Sequence, residues 1–306
     1  MPDQNLTMRS RRSFLRSTGT ALAALPVVPS LLSGSSFKKD GFTALRRGVG
    51  TFEGRGGTIG WFATDDALVV VDTQSPQSAP TCWSGLQERT DHGLNMVINT
   101  HHHGDHVGGN GVFDQYTDRF VAHANVPTLM RQAAEDGAAD EKTYPSTTFE
   151  DSWSETVGGE TIRLKHYGPA HTGGDAVVFF ENANVVHVGD LVFNRAYPFI
   201  DVTGGADSRN WIDVLETLHG EVGDDTILIH GHGNPEYGIT GGREDLLVMR
   251  DFLTALNEYV TQQRQAGASL QEMKQKSVLE DFEAFNFDWA LSLGACIEAV
   301  YREQTA

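Results

Sequence analysis

The sequence predicts an α/β fold in one large domain, and three observations support this class. Short apolar or alternating runs separated by glycine and aspartate fill residues 42–73, which is typical of antiparallel strands. Further strand-like runs then alternate with helical segments as far as residue 233. The remainder, residues 242–303, is mostly helical in pattern, and neither an internal repeat nor a domain linker is visible.

The elements follow in order along the chain. Strands are predicted at nine runs: 42–52, 58–66, 67–73, 94–100, 119–124, 160–168, 175–181, 184–190 and 225–233. Helices are predicted at three segments before the helical tail: 78–90, 125–138 and 208–220. The last of these carries a single apolar stripe, formed by Trp211, Val214, Leu215 and Leu218. Residues 138–158 are predicted to be a polar connection.

The N-terminal segment has the pattern of an export signal. The stretch "SRRSFLR" at residues 10–16 precedes an apolar run at 21–32, which resembles a twin-arginine export signal. Residues 1–36 are therefore predicted to be a signal peptide or a disordered leader, and residues 37–306 the folded domain. The apolar run is too short for a membrane span and contains two prolines. We expect a periplasmic or extracellular protein with no stable membrane span after export.

Composition limits the possible partners. The net charge is −18, and no long basic run exists beyond the N-terminus, so a nucleic-acid partner is not expected. A small-molecule substrate is the expected partner, and the oligomeric state stays open. Cys82 and Cys296 lie in no metal-binding pattern and are predicted to be buried small apolar residues, although pairing stays open.

The stretch "NTHHHGDHVGGN" at residues 99–110 contains the main candidate site. His101 and His103 are two positions apart, so both point to one side, while His102 points to the other side and orients nearby backbone. Three further candidates each follow a predicted strand: His171, Asp190 and His232. Strand ends on one edge of a sheet converge, and neutral imidazoles with carboxylates suit zinc, iron or manganese.

The order H-x-H-x-D-H, then a histidine, an aspartate and G-H-G resembles the metallo-β-lactamase superfamily over roughly residues 42–306. The resemblance implies a four-layer αββα sandwich with a two-metal site. The first metal would be held by His101, His103 and His171. The second would be held by Asp105, His106 and His232. Asp190 occupies the place of a bridging aspartate, which matches lactonases and thioester hydrolases better than antibiotic-hydrolysing members, and Asp72 would brace the metal loop from behind.

The resemblance implies hydrolysis by a metal-bound hydroxide. Two zinc ions per chain are expected, with iron possible, and Asp105 is the candidate catalytic residue that orients the nucleophile and relays its proton. The leading hypothesis is an exported zinc hydrolase that opens a cyclic amide or ester, either β-lactam-like or lactone-like. Two alternatives stay open: an iron-dependent sulfur oxygenase, and a non-catalytic metal-binding accessory protein of a periplasmic redox pathway.

Substrate contacts are predicted at the rim of the site. The segment "TFEGRGGTIGWF", residues 51–62, aligns with the flap of the family, where Trp61 could contact an apolar ligand, although packing within the hairpin is the alternative. Asn194, Arg195 and Tyr197 follow Asp190 closely and could receive a substrate carboxylate, because arginine binds carboxylates with two hydrogen bonds.

Overall fold

The computed structural model describes residues 40–134, 142–288 and 290–306. The predicted signal segment, residues 1–36, lies outside the described residues. Two β-sheets pack face to face, and helices cover the outer face of each sheet. This is the four-layer αββα sandwich that the family resemblance implied, so the predicted fold class is confirmed.

The first sheet contains seven strands in chain order: β1 Phe42–Arg46, β2 Val49–Phe52, β3 Ile59–Thr64, β4 Ala67–Val71, β5 Met96–Ile98, β6 Phe120–His123 and β7 Thr147–Phe149. Strands β1 to β4 form the antiparallel meander that the glycine and aspartate breaks predict. Strands β4 to β7 are parallel. Parallel strands need crossover connections, and helices supply them here.

The second sheet contains six strands: β8 Ser152–Val157, β9 Glu160–Lys165, β10 Val177–Phe180, β11 Val185–Asn194, β12 Ile227–Gly233 and β13 Thr240–Gly241. Strands β8 to β11 are antiparallel neighbours, whereas β11 and β12 run parallel. The short β13 pairs antiparallel with β12. The parallel β11–β12 pair therefore sends two chain segments to the same edge of the sandwich.

Strand alternation divides the apolar residues between the layers. On β4, Val69 and Val71 point into the core between the sheets, whereas Leu68 and Val70 point toward the outer helices. Phe180 on β10 enters the same inter-sheet core from the opposite sheet. Successive side chains of a strand face opposite sides, so a strand buried on both faces is a continuous apolar run, as "ALVVV" is.

Eight α-helices and a 3₁₀ helix at Glu283–Phe285 complete the described fold. The α-helices are α1 Ala79–Gln87, α2 Gly104–Val107, α3 Asn110–Phe113, α4 Val126–Gln132, α5 Ser208–Glu221, α6 Glu244–Gln265, α7 Leu270–Met273 and α8 Leu293–Glu303. The predicted stripe of α5 is buried against the second sheet together with α6 and α8. The Asp207 carboxylate caps α5 by accepting from the backbone N–H groups of Arg209 and Asn210.

Several local predictions can be compared with this fold. The polar connection predicted at residues 138–158 is wrong, because β7 and all of β8 lie there. Strand β8 alternates exposed and partly buried residues on a sheet edge, and this pattern has little apolar signal. Cys82 and Cys296 are free and buried, as predicted. Among the described residues, no helix is long and apolar enough to cross a membrane.

Candidate metal centre

The predicted ligand residues converge at one edge of the sandwich. The segment His101–His106 follows β5 and leads into the short helix α2. Strands β11 and β12 bring two more ligand candidates to this edge, with Gly189 opposite His230 and Phe193 opposite His232. Asp190 follows Gly189 at an irregularity in the ladder. Separate segments therefore meet at one edge, as the sequence predicts.

The first ligand group contains His101, His103, His171 and Asp190. The Nδ1 atom of His103 lies 3.0 Å from the Nε2 atoms of both His101 and His171. The Oδ2 atom of Asp190 lies 3.8 Å from His101 Nε2 and 3.5 Å from His171 Nε2. The first three are the side chains expected to hold the first metal.

The second ligand group contains Asp105, His106 and His232. The Nε2 atom of His232 lies 3.1 Å from Asp105 Oδ2 and 3.4 Å from His106 Nε2. Asp190 also reaches this group, with Oδ1 3.1 Å from His106 Nε2 and Oδ2 3.5 Å from His232 Nε2. The Asp190 carboxylate therefore lies between the two groups, where a bridging ligand is expected.

Hydrogen bonds behind the first group orient its imidazoles. His171 Nδ1 donates to the backbone carbonyl of Phe199 over 2.7 Å. His103 Nε2 donates to the Asp201 carboxylate over 3.0 Å. The Thr100 hydroxyl oxygen accepts a hydrogen bond from His101 Nδ1 over 3.0 Å. Such outer acceptors fix the tautomer of a ligating histidine and the direction of its ring.

Asp72 links the two groups from behind. Its carboxylate accepts from His106 Nδ1 over 2.8 Å and from the Thr100 hydroxyl over 2.7 Å. The Thr100 backbone N–H donates to the same carboxylate over 2.8 Å. Asp72 is fully buried and has a φ of 62°, a left-handed backbone conformation held by these contacts. These are the contacts expected of the bracing aspartate.

The donor atoms fit a metal ion. Because the outer nitrogens of His101, His103 and His171 each face an acceptor, the lone pairs of their inner nitrogens point into one small space. That arrangement is repulsive unless a cation lies among them. A tetrahedron with zinc–nitrogen bonds of about 2.0–2.1 Å has edges of about 3.3–3.4 Å, close to the nitrogen separations here. The mixed imidazole and carboxylate set suits zinc, iron or manganese.

The two groups differ in electrostatics. Burial, together with the neighbouring His106, lowers the pKa of His101 well below its ordinary value, and burial lowers that of His171 to about 3. Burial also disfavours the charged form of His232, but Asp190 and Asp105 outweigh it and raise its pKa to about 9. His101 and His171 are therefore uncharged at pH 7, whereas protons and a cation would compete for His232 in the second group.

The sequence did not predict Asp201 or the orientation of His102. The His102 Nε2 atom lies 3.3 Å from Asp201 Oδ2, so the ring contacts a carboxylate that also holds His103, rather than backbone. The Gly204 N–H donates to the other Asp201 oxygen over 2.8 Å. The only sequence signal was an aspartate at the end of "NRAYPFID", a segment interpreted as a substrate loop.

The glycine-rich flap lies directly against the second group. A Cβ at Gly57 would come within 2.1 Å of the His106 ring, so only glycine fits there without movement. The Gly57 backbone N–H donates to the Asp105 carbonyl over 3.1 Å. The Gln74 side chain in turn donates to the Gly57 carbonyl over 2.6 Å. The flap is therefore tied to the second group by close contact and hydrogen bonds.

A cavity of about 410 Å³ opens onto both groups. Its lining combines metal-site residues with apolar side chains: His103, Gly104, Asp105, Asp190, Phe193, Phe199, His232, Ala290 and Leu291. Asp105 is its most accessible acidic group, with a side chain that is 45% exposed. Burial disfavours the charged Asp105 carboxylate, but hydrogen bonding from His232 lowers its pKa to about 2. The carboxylate is therefore ionised at pH 7 and faces the cavity.

The four predicted substrate residues do not line this cavity. Trp61 is buried in the core beneath α1, next to Phe42, as hairpin packing requires. Tyr197 is buried in the helix-covered core, with its ring 5.8 Å from that of Phe252. The side chains of Trp61 and Tyr197 are therefore committed to packing, which corrects the substrate-binding prediction for both.

Asn194 and Arg195 are likewise committed to contacts within the protein. Arg195 forms an ion pair with Asp245 at the start of α6 and also contacts the Asn194 side chain. Asn194 Nδ2 donates to the Gly238 carbonyl over 2.9 Å. Their role as a receptor for a substrate carboxylate is therefore not supported, because neither side chain reaches the cavity.

The fold and the grouped side chains define an αββα protein with a candidate two-metal site at one sheet edge. The chain belongs to the metallo-beta-lactamase superfamily, whose family model matches residues 53–232. Members of this superfamily typically bind divalent metals, in agreement with the ligand groups.

Relatives from two bacteria match parts of the chain. The sequence is 28% identical over 132 residues to the 2,4-dinitroanisole O-demethylase subunit alpha of Nocardioides sp. (strain JS1661), covering 42% of this chain and 39% of that protein. It is 31% identical over 102 residues to a hydroxyacylglutathione hydrolase of Methylococcus capsulatus (strain ATCC 33009 / NCIMB 11132 / Bath), covering 33% and 34%. The chain thus matches well under half the length of these relatives.

Solved structures support the fold. The stereoselective inverting sec-alkylsulfatase Pisa1 from Pseudomonas sp. superposes with a TM-score of 0.70 at 16% identity, covering 86% of this chain and 50% of that one. A metallo-beta-lactamase from Pontibacter korlensis superposes with a TM-score of 0.58 at 18% identity, covering 70% and 98%. At these identities the likeness concerns the architecture alone.

Proposed function

We propose that this protein is an exported, zinc-dependent hydrolase that opens a cyclic ester or amide. The observation that carries the proposal is the position of the Asp190 carboxylate, within 3.1–3.8 Å of histidine nitrogens from both ligand groups. A carboxylate shared in this way suits two adjacent metal ions. Membership of a superfamily that includes a hydroxyacylglutathione hydrolase among the relatives of this chain supports hydrolysis.

The chain would supply both ligation and proton handling. His101, His103 and His171 would hold one zinc ion, and Asp105, His106 and His232 the other, with Asp190 shared. When bound, zinc lowers the pKa of a coordinated water to about 7 and polarises a carbonyl oxygen. Asp105 is ionised and faces the cavity, so its free oxygen can accept a hydrogen bond from the attacking water and take up its proton.

Metal content and hydrolysis test the proposal together. The full chain would be expressed, purified without added metal and analysed for zinc, iron and manganese. We expect about two zinc ions per chain and turnover within a panel of lactones, thioesters and β-lactams. One iron per chain, together with oxygen consumption, would contradict the hydrolase proposal and favour a sulfur oxygenase. Bound metal with no turnover of any substrate would favour a non-catalytic accessory protein.

Export is tested separately. Replacing Arg11 and Arg12 with lysine should retain the protein in the cytoplasm, because the twin-arginine pair is the feature that the export machinery reads. Cell fractionation would compare this variant with the parent chain. Unchanged delivery to the periplasm would contradict the twin-arginine assignment without affecting the hydrolase proposal.

A further inference from the structure

The lining of the cavity combines two kinds of side chain. Ligand side chains form one part of it, including the carboxylates of Asp105 and Asp190. Phe193, Phe199, Ala290 and Leu291 form the other part, which is called the apolar wall below. A group attached to the reacting bond would therefore extend from the ligand groups toward this apolar wall.

Phe199 is the most distinctive residue of the apolar wall. Its side chain is 44% exposed, although most large apolar side chains of the described protein are buried. The ring lies 5.3 Å from the His103 ring, so it stands directly beside the first ligand group. Phe193, by contrast, is buried and stacked on the His232 ring at 5.2 Å. Phe199 is thus available to a ligand, whereas Phe193 is already used in packing.

No lysine or arginine lines the cavity within the described part of the chain. Arg195, the expected carboxylate receptor, is paired with Asp245 instead. Arg302 lines a second cavity, which shares Phe199 and Leu291 with the first, and is absent from the lining of the first. A substrate carboxylate packed against Phe199 and Leu291 would therefore lose hydration on that side without gaining a lysine or arginine partner from the lining. The net charge of −18 also disfavours the approach of anionic substrates.

We propose that Phe199 and Leu291 are specificity-determining residues that select substrates with an uncharged apolar substituent beside the reacting ester or amide. Substrates with a carboxylate at that position are discriminated against. This inference rests on the proposed hydrolase function and specifies its substrate class. It also replaces the expected carboxylate contact at Arg195 with an apolar contact at Phe199.

The side chain of Phe199 can be replaced without removing the contact that Phe199 makes with His171. The contact of Phe199 with His171 uses its backbone carbonyl, which an alanine variant keeps. Phe199→Ala should therefore remove the apolar contact and leave the ligand group in place. Tyr237→Ala is the matched control, because Tyr237 is 46% exposed and does not line the cavity.

The kinetic test uses two γ-butyrolactones that differ in one substituent on the same ring carbon, a hexyl group or a carboxylate. We expect kcat/KM to be at least about 100-fold higher for the hexyl lactone, since each methylene packed in an apolar pocket can raise kcat/KM by about 10-fold or more. Phe199→Ala should reduce this preference about 10-fold, mainly through KM, and Tyr237→Ala should not. Leu291→Lys should raise kcat/KM for the carboxylate lactone by introducing a cation at the wall.

A binding test separates the substrate class from the reaction. Pentanethiol and mercaptopentanoate would be titrated into the zinc-loaded protein, because both bind zinc through sulfur and differ only at the end of the chain. We expect pentanethiol to bind about 10-fold more tightly, with the preference lost in Phe199→Ala. Equal affinities, or a preference that survives Phe199→Ala, would overturn the inference.

The outcomes distinguish the two proposals. A thiol preference without turnover of any lactone, thioester or β-lactam would contradict the hydrolase function and leave the apolar selection standing. Turnover of both lactones with equal kcat/KM would contradict the apolar selection alone. A protein that binds neither zinc nor thiol contradicts the proposed function and this inference with it.

Discussion

The two ligand groups lie side by side but are built differently. The first, around His101, His103 and His171, is mostly buried, and the acceptors behind it are a hydroxyl, a backbone carbonyl and the Asp201 carboxylate. The second, around Asp105, His106 and His232, faces the cavity through the partly exposed Asp105. We therefore expect the first group to bind its ion more tightly than the second.

Asp72 and Asp190 connect these unlike groups. Asp190 touches both from the front, while Asp72 contacts His106 directly and His101 through Thr100 from behind. Changes at shared residues should therefore affect both groups. Changes at residues behind one group should affect that group alone.

The largest effect is expected at Asp190. Asp190→Ala should reduce zinc from about two ions per chain to about one. Both groups lose a shared ligand, but the first keeps three histidines, whereas the second then depends partly on Asp105, whose side chain is 45% exposed. Hydrolysis should fall by about 100-fold or more, since metal charge stabilisation contributes several kcal/mol. Metal analysis and kcat/KM would be measured on the same preparations.

Asp190→Cys refines this experiment. A thiolate binds zinc at about 2.3 Å, so we expect zinc to be retained while the substrate profile changes. Two zinc ions and full activity in Asp190→Ala would show that Asp190 is no ligand. The bridged-site proposal would then be wrong.

Asp201 tests the first group. Asp201→Ala removes the acceptor of His103 Nε2, and we expect the affinity for the more tightly held zinc ion to fall about 10- to 100-fold. Competition with a chromogenic chelator would measure both zinc affinities. Asp201→Asn keeps one acceptor oxygen and should restore part of the affinity. Equal weakening of both zinc ions would contradict the separation of the two groups.

Gly57 tests the second group. A methyl group at Gly57 would overlap the His106 ring, which Asp72 holds in place, so the flap or the ring must move. We expect Gly57→Ala to weaken the second zinc ion about 10-fold, by disturbing a ligand and its surroundings. Gly93→Ala is the matched control, because a Cβ there meets nothing within 4 Å. Unchanged zinc affinities in Gly57→Ala would show that the flap is only a turn.

The sequence predicted the ligand positions because four of them lie close together in "THHHGDH" and because the later candidates were expected where predicted strands end. In the structure Asp190 and His232 lie within β11 and β12, and His171 lies in the loop after β9. Asp201 was missed because its partner, His103, lies 98 positions earlier, and no pattern joins them. Arg195 was misassigned for the same reason, since Asp245 lies 50 positions later and neutralises it. Contacts between distant loops require the folded structure, whereas strand periodicity does not.

The smallest effect is expected at a histidine pair remote from both groups. His123 and His166 stack with their ring centres 3.8 Å apart, and burial followed by the neighbouring His166 lowers the pKa of His123 to about 4. A lowered histidine pKa means that the unfolded chain takes up its proton first, so this contribution to the free energy of unfolding is lost as pH falls from about 6.5 to 4.

His123→Phe should reduce the acid-induced loss of stability by an amount on the order of 1 kcal/mol after solvent screening. Urea unfolding at pH 7 and pH 4.5 would compare it with His92→Phe, a substitution of a partly exposed histidine. An acid-induced loss in His123→Phe as large as in the parent would show that the stacked pair contributes nothing to acid sensitivity, leaving other titratable groups as its source.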